Sequence, residues 1–213
     1  ERDAAQILSV AFARDAIDAF RFMRCGFDPD SGVARLGYAF DDGPELVETV
    51  SLPGAPFALD GARAAAAQRA LRLLHLVAGV SYYKAAVPPR IRIDGYAIDA
   101  ATAALLEQVY VNGLGEFAYR NGLDLHGRIQ FPAEDTASGG DGDAPVLGLR
   151  EHALVAIGGG KDSLVSIEAL RALGVEQTVA WIGGSQLIRA CAERTGLPTL
   201  NIGRQLAPEL FDY

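Results

Sequence analysis

Residues 154–173 read LVAIGGGKDSLVSIEALRAL, and this stretch restricts the possible folds more than any other part of the chain. Four apolar residues, 154–157, run straight into Gly158, Gly159 and Gly160, which Lys161, Asp162 and Ser163 follow. Leu164, Ile167, Leu170 and Leu173 then recur at three-residue steps, the spacing of one face of a helix. The order is strand, glycine loop, helix. Glycines allow a tight turn and close approach of backbone to a ligand, and the free N–H groups at the start of a helix favour an anion there.

Two common anion loops do not fit. The P-loop pattern requires Gly where Val155 stands and Ser or Thr where Asp162 stands, and the dinucleotide fingerprint requires Gly where Ser163 stands. What remains resembles the pyrophosphate loop of the ATP pyrophosphatases, Ser-Gly-Gly-x-Asp-Ser, with Gly158 replacing the first Ser and its hydroxyl donor. Those enzymes split ATP between its α and β phosphates and attach AMP to a substrate oxygen. The resemblance implies ATP phosphates against Gly158, Gly159, Gly160, Lys161, Asp162 and Ser163, and nucleotide contacts at Ile182 and Gly183 where the next strand ends. It further implies that Lys161 neutralises charge building on ATP and that Asp162 helps to hold Mg²⁺ across the phosphates. A lysine at a helix start opposes the helix dipole unless an anion lies between them.

The remaining pattern is α/β. Residues 20–27 and 33–40 alternate as half-buried strands around a turn at Asp28-Pro29-Asp30-Ser31-Gly32, and residues 45–52 read as a third strand, giving an antiparallel meander. Asp60 is placed to cap a helix over 61–77 with Ala64, Ala67, Leu71 and Leu74 on its core face. A short helix over 81–86 ends at Pro88-Pro89, a strand covers 90–94, and Asp99 caps a helix over 100–120 that Gly113 and Gly115 should kink. Residues 1–133 thus read as an α+β domain. Residues 134–149 hold four acidic residues and four glycines between 134 and 148 and read as a mobile linker. From residue 150 strands alternate with helices: a strand at 177–182, a helix at 185–195 with Leu187, Ala190 and Cys191 inward, and a strand at 197–202. That alternation predicts parallel crossovers and a doubly wound sheet whose ligand lies at the carboxyl ends of the strands. Three strands are few for such a sheet. The sequence opens on Glu1 and closes on a Phe211-Asp212-Tyr213 that reads as mid-helix, so the remaining strands are expected beyond Tyr213.

Composition narrows the function. A net charge of −8 with 19 scattered Lys and Arg argues against a nucleic-acid surface, and no apolar run has the length of a membrane span. Cys25 and Cys191 lack metal-ligand spacing and read as reduced thiols, which together with the absence of a secretory pattern points to the cytoplasm. His75 on an Ala/Leu helix reads as a satisfied core residue and His152 as solvent-facing. His126, in a polar loop, is a conceivable proton carrier, and Tyr82, Tyr83 and Lys84 form a cluster that either binds substrate or packs a helix.

Four runs extend the resemblance over most of the chain: FRFMRCGFDPDSG (20–32), HLVAGVSYYKAAVPPRI (75–91), VNGLGEFAYRNGLDLHGRI (111–129) and ALVAIGGGKDSLVSIE (153–168). They resemble the family of bacterial UDP-N-acetylmuramoyl-L-alanyl-L-glutamate epimerases. This implies a UDP-muramoyl dipeptide substrate, ATP and Mg²⁺, activation of the terminal α-carboxylate as an acyl-adenylate, and inversion at Cα of glutamate in peptidoglycan precursor synthesis. Two other readings share the loop: an amide- or thio-group-forming ATP pyrophosphatase, similar to diphthine-ammonia ligase, and a nucleotide-binding module without catalysis. Nothing in the pattern identifies the base that moves the Cα proton.

Overall fold

A computed structural model describes residues 16–134 and 147–213. The meander forms as the alternation requires, with β1 (Ala19–Asp28), β2 (Val33–Phe40) and β3 (Leu46–Ser51) pairing antiparallel. Its first turn is tied by Asp28, whose carboxylate accepts from the Asp30 N–H at 3.1 Å and the Ser31 hydroxyl at 2.5 Å. Phe20 lies opposite Phe40, Phe22 opposite Tyr38 and Leu36 opposite Glu48, so one face collects the large side chains. That inner face is covered by α1 (Gly61–Ala78), α2 (Val80–Ala86), α3 (Ala100–Gly113) and α4 (Gly115–Asn121), while β4 (Arg90–Ile93) adds a parallel edge to β1. Asp60 and Asp99 cap α1 and α3 by accepting from Arg63 and Thr102 N–H groups. Gly79 separates α1 from α2 at a point where a Cβ would stand 2.4 Å from the Phe22 ring, so only glycine lets the helix junction touch the sheet. The kink expected within 100–120 is a break at Leu114, between α3 and α4.

The second part builds β5 (Ala153–Ala156), α5 (Lys161–Ala172), β6 (Gln177–Ile182), α6 (Gln186–Arg194) and β7 (Thr199–Gln205). β5, β6 and β7 are parallel, and β7 pairs antiparallel with β3 through Thr49 to Gln205, Val50 to Arg204 and Ser51 to Gly203. The result is one mixed seven-stranded sheet in the order β4-β1-β2-β3-β7-β6-β5. The α/β class is as expected, and the edge-to-edge seam between meander and parallel strands is an addition. Residues 135–146, the centre of the expected linker, lie outside the described residues.

The doubly wound arrangement is not present among the described residues. The parallel strands progress in one direction, β5 to β6 to β7, so right-handed crossovers put both helices on one face. Accordingly Ile167 of α5 and Ala192 of α6 share a small core with Val155, Ile157, Val179 and Trp181 on the outer face. Following the register across the seam, Val50, Arg204, Ile202, Ile182, Ala180, Ala156 and Leu154 all belong to the inner face. Helices therefore cover the inner face over the meander and the outer face over the parallel strands, and Leu154 and Ile182 are each 60 % exposed.

Two helix faces differ from expectation. In α1 the buried residues are Leu71, His75 and Leu76, whereas Ala64 and Leu74 are exposed, because the C-terminal half of the helix meets the sheet. In α6 Leu187 and Ala190 are exposed, and Ile188, Cys191 and Ala192 turn inward. Residues one position apart satisfy the helical period almost equally, so the contact with the sheet decides the rotation and buries Leu76 in place of Leu74 and Ala192 in place of Leu187.

Candidate functional site

The carboxyl ends of β5, β6 and β7 lie at one end of the sheet, and the glycine loop opens there. Gly159 has φ +82, a conformation an L side chain rarely adopts. Gly160 is the N-cap of α5 and provides no side-chain hydrogen bond, so the first-turn N–H groups of that 12-residue helix have no capping side chain. A Cβ at Gly158, Gly160, Gly183 or Gly184 would meet nothing within 4 Å, which leaves open space on the ligand side of the loop. Ser163 folds back toward the loop, its hydroxyl accepting from the Gly158 N–H at 3.4 Å. Lys161 and Asp162 are exposed, and Ser163 is half-buried.

β6 ends in Ile182 and Gly183, the latter with φ +89 and its N–H donating to the Ile202 carbonyl at 3.0 Å. Between the strands and the loop is a cavity of about 470 Å³ walled by Leu154, Ala156, Gly158, Ala180, Ile182 and Ile202. The structure thus brings Ile182 to the same cavity as Gly158 and sets Gly183 directly after the end of β6. An apolar wall beside a ring of open N–H groups suits a ligand with a flat apolar part and an anionic part. These features fit a nucleotide, with Asp162 as the loop carboxylate able to share Mg²⁺ with phosphate oxygens. Among the described residues no group of three or more His, Cys, Asp or Glu side chains is placed to hold a metal.

The other sequence candidates lie elsewhere. His75 is fully buried and, as expected, satisfied: Nε2 is 2.8 Å from the Gly37 carbonyl and Nδ1 is 3.0 Å from the Tyr96 hydroxyl. Since a carbonyl only accepts, Nε2 carries a proton, and the Tyr96 hydroxyl that pairs with Nδ1 also lies 3.3 Å from the Arg72 carbonyl. Burial lowers the His75 pKa to about 4, against smaller opposing effects of Gly37 and Glu45. Tyr82 and Tyr83 are buried packing residues, with the Tyr82 hydroxyl accepting from the Ala207 N–H at 2.9 Å; burial raises both phenols to about 12. His126 is exposed, and His152 is within 2.9 Å of the Thr178 hydroxyl. Burial raises the Cys25 thiol, which suits an inert strand residue. Cys191, by contrast, lies under the loop, with its Sγ 4.0 Å from where a Gly159 Cβ would stand.

Sequence reasoning missed one constellation at this end of the sheet. Arg204 of β7 donates from Nε to Glu48 Oε1 at 2.6 Å and from Nη2 to Glu48 Oε2 at 3.4 Å and to the Ser81 hydroxyl at 2.9 Å. Glu48 is fully buried. The alternation marks Arg204 as sharing a face with Ile202, but its partners are in the meander and in α2, which no local pattern connects to it.

Comparison with known proteins places this arrangement. The family described as MurL N-terminal domain matches residues 11–213. The chain is 72% identical over 202 residues to a protein of Xanthomonas oryzae pv. oryzae (strain MAFF 311018) named UDP-N-acetyl-alpha-D-muramoyl-L-alanyl-L-glutamate epimerase, covering 95% of this chain and 44% of that protein. Proteins of the same name from Salinispora tropica and Micromonospora sp. are 37% and 38% identical, each over 92% of this chain and 43% and 44% of their own lengths. The chain thus spans less than half the length of these curated relatives. No solved structure matches it.

Proposed function

The chain belongs to the MurL family through its N-terminal domain, and from that premise we propose that it is part of an ATP-dependent epimerase. The substrate is UDP-N-acetylmuramoyl-L-alanyl-L-glutamate, whose terminal L-glutamate becomes D-glutamate during peptidoglycan precursor synthesis in the cytoplasm. The observation that carries this reading is the 72% identity, over 95% of the chain, to a protein bearing that epimerase name.

Chemistry explains why an epimerase would carry a nucleotide loop. The negative charge of a carboxylate makes the neighbouring Cα–H hard to remove. Conversion to a mixed anhydride with AMP removes that charge and lets the carbonyl accept the electrons released at Cα. Pyrophosphate leaves as the acyl-adenylate forms, the Cα proton departs from one face and returns to the other, and water releases AMP. The uncapped start of α5 and the N–H groups around Gly159 and Gly160 would hold the phosphates. Lys161 would neutralise charge that builds in the transition state, and Asp162 would hold Mg²⁺, which screens the phosphates. The apolar wall at Ile182 would take the base.

The pyrophosphatase fold itself belongs to the proposal. A doubly wound sheet needs strands on the far side of β5, which pairs only with β6 among the described residues. The part of the relatives outside the matched region has the length to supply them, and the exposed Leu154 of the edge strand β5 is surface such strands and helices would cover. The decisive experiment incubates the protein at its natural length with ATP, Mg²⁺ and the L-glutamyl dipeptide nucleotide, then hydrolyses the product and measures glutamate chirality. D-glutamate formed only with ATP supports the reading; chirality unchanged, with an amide or thio product instead, refutes it.

A further inference from the structure

Arg204 shares the inner face with Ile202, two residues earlier, and Ile202 forms part of the cavity wall. Two residues along a strand are about 6.6 Å, so the Arg204 backbone lies just beyond the cavity wall at the carboxyl ends of the parallel strands, and its side chain reaches over to β3 and α2. Its guanidinium is held by three contacts from two separate elements, the Glu48 carboxylate of β3 twice and the Ser81 hydroxyl of α2 once. Those contacts occupy Nε and Nη2. No described residue hydrogen-bonds to Nη1, and the side chain is 31 % exposed while Glu48 is not exposed at all.

Joining two sheet edges does not require this arrangement. A buried ion pair seldom stabilises more than a well-packed apolar pair of the same volume, because both charges lose their hydration. What the pair does provide is a planar fork fixed in place with one edge still able to donate, the geometry that matches a carboxylate or phosphate. Because Glu48 offsets the charge, recognition would rest on directed N–H donors more than on net attraction.

We propose that Arg204 is a substrate-binding residue, its free Nη1 edge holding an oxyanion of the reacting pair, either a carboxylate of the glutamyl terminus or a phosphate of the nucleotide. The assignment rests on the epimerase reading for the identity of the two ligands. In the protein at natural length, calorimetry would measure the dissociation constants of the L-glutamyl dipeptide nucleotide and of a nonhydrolysable ATP analogue for wild type, Arg204→Lys and Ser81→Ala. Thermal unfolding of each variant would be recorded alongside. Lysine keeps the charge and the partner for Glu48 but loses the fork. Loss of a charge-assisted hydrogen bond weakens binding roughly ten- to hundredfold, and loosening the fork by Ser81→Ala should weaken the same ligand a few-fold. A loss confined to the dipeptide nucleotide identifies the carboxylate, and one confined to the ATP analogue identifies the phosphate. Unchanged binding of both ligands by Arg204→Lys, with only the melting temperature altered, would overturn the proposal and leave Arg204 a clamp between β3 and β7. Because binding is read without turnover, a protein that binds through Arg204 yet inverts no glutamate would refute the epimerase reading and not this one.

Discussion

Acidification should destabilise this protein through His75, and the size of the effect follows from its surroundings. The imidazole is fully buried, donates from Nε2 to the Gly37 carbonyl and pairs through Nδ1 with the Tyr96 hydroxyl, so a charge on the ring would have to be carried away from water. Its pKa falls from 6.5 to about 4 in the folded chain, chiefly by burial. Between those values the unfolded chain binds a proton that the folded chain does not, so stability rises with pH across this window and is lost as pH falls through it. The gap allows roughly 3 kcal/mol at most, most of it lost by pH 4.5. Carboxylates titrate in the same range, so the measurement must be a difference. Urea unfolding at pH 7.5 and pH 4.5 would compare wild type with His75→Gln, whose amide can still donate to Gly37 and cannot be protonated. The variant should be less stable at pH 7.5, by about 1–3 kcal/mol for a perturbed buried hydrogen bond, yet lose roughly 2–3 kcal/mol less than wild type on acidification. Equal losses in the two proteins would refute the reasoning, because the proton would then have to be taken up elsewhere.

Lys161→Ala should lower turnover by roughly 10²–10³ while nucleotide affinity changes far less, because the contact strengthens as phosphate charge develops; equal losses in steady-state and binding measurements would remove that role. Gly159→Ala should cost about 1–2 kcal/mol in urea unfolding through its φ of +82 alone, since its Cβ meets Ile188 and Cys191 only at ordinary contact distance; no loss would mean that the loop relaxes to another conformation. In D₂O the product glutamate should carry deuterium at Cα, with one AMP and one pyrophosphate per hydrolysed intermediate and no ADP, as mass spectrometry and nucleotide chromatography would show; inverted product that keeps its original hydrogen would exclude proton removal. Leu154→Glu should change the stability of the 213-residue chain by no more than about 0.5 kcal/mol, the residue being 60 % exposed, but should cost more in the protein at natural length; equal small effects in both would show that nothing covers this face.

Local pattern reveals much of this molecule and stops where contacts become distant. The meander, the Asp60 and Asp99 caps and the strand, loop and helix around Gly158 to Ser163 are local features, and each lies within a few residues of its expected place. The roles of Ile182 and Gly183 come from the family resemblance, and their place at the end of β6 from the strand pattern. The rotation of α1 and α6 was misread because it depends on which half of a helix reaches the sheet, and Leu74 and Leu187 satisfy the period as well as Leu76 and Ile188 do. The pairing of β3 with β7 has no local signal at all. Thr49 and Gln205 are ordinary strand residues, and only the assembled sheet sets them opposite each other, with Glu48 beneath Arg204.

That seam also shapes how the molecule reaches its fold. Glu48 and Arg204 are separated by 156 residues, whereas β5, β6 and β7 pair across single crossovers and β1, β2 and β3 across short turns. Closing the long loop carries the larger entropy cost and brings contacts only once both sides exist, so the two sets of strands assemble first and the seam zips last. Until then β3 and β7 each present an unpaired edge, in one chain or in two, with residues 49–51 and 203–205 matched in register. At high concentration the β3 edge can therefore accept β7 from a neighbouring chain, and exchanged dimers joined through Glu48 of one chain and Arg204 of the other are the misassembly this topology invites.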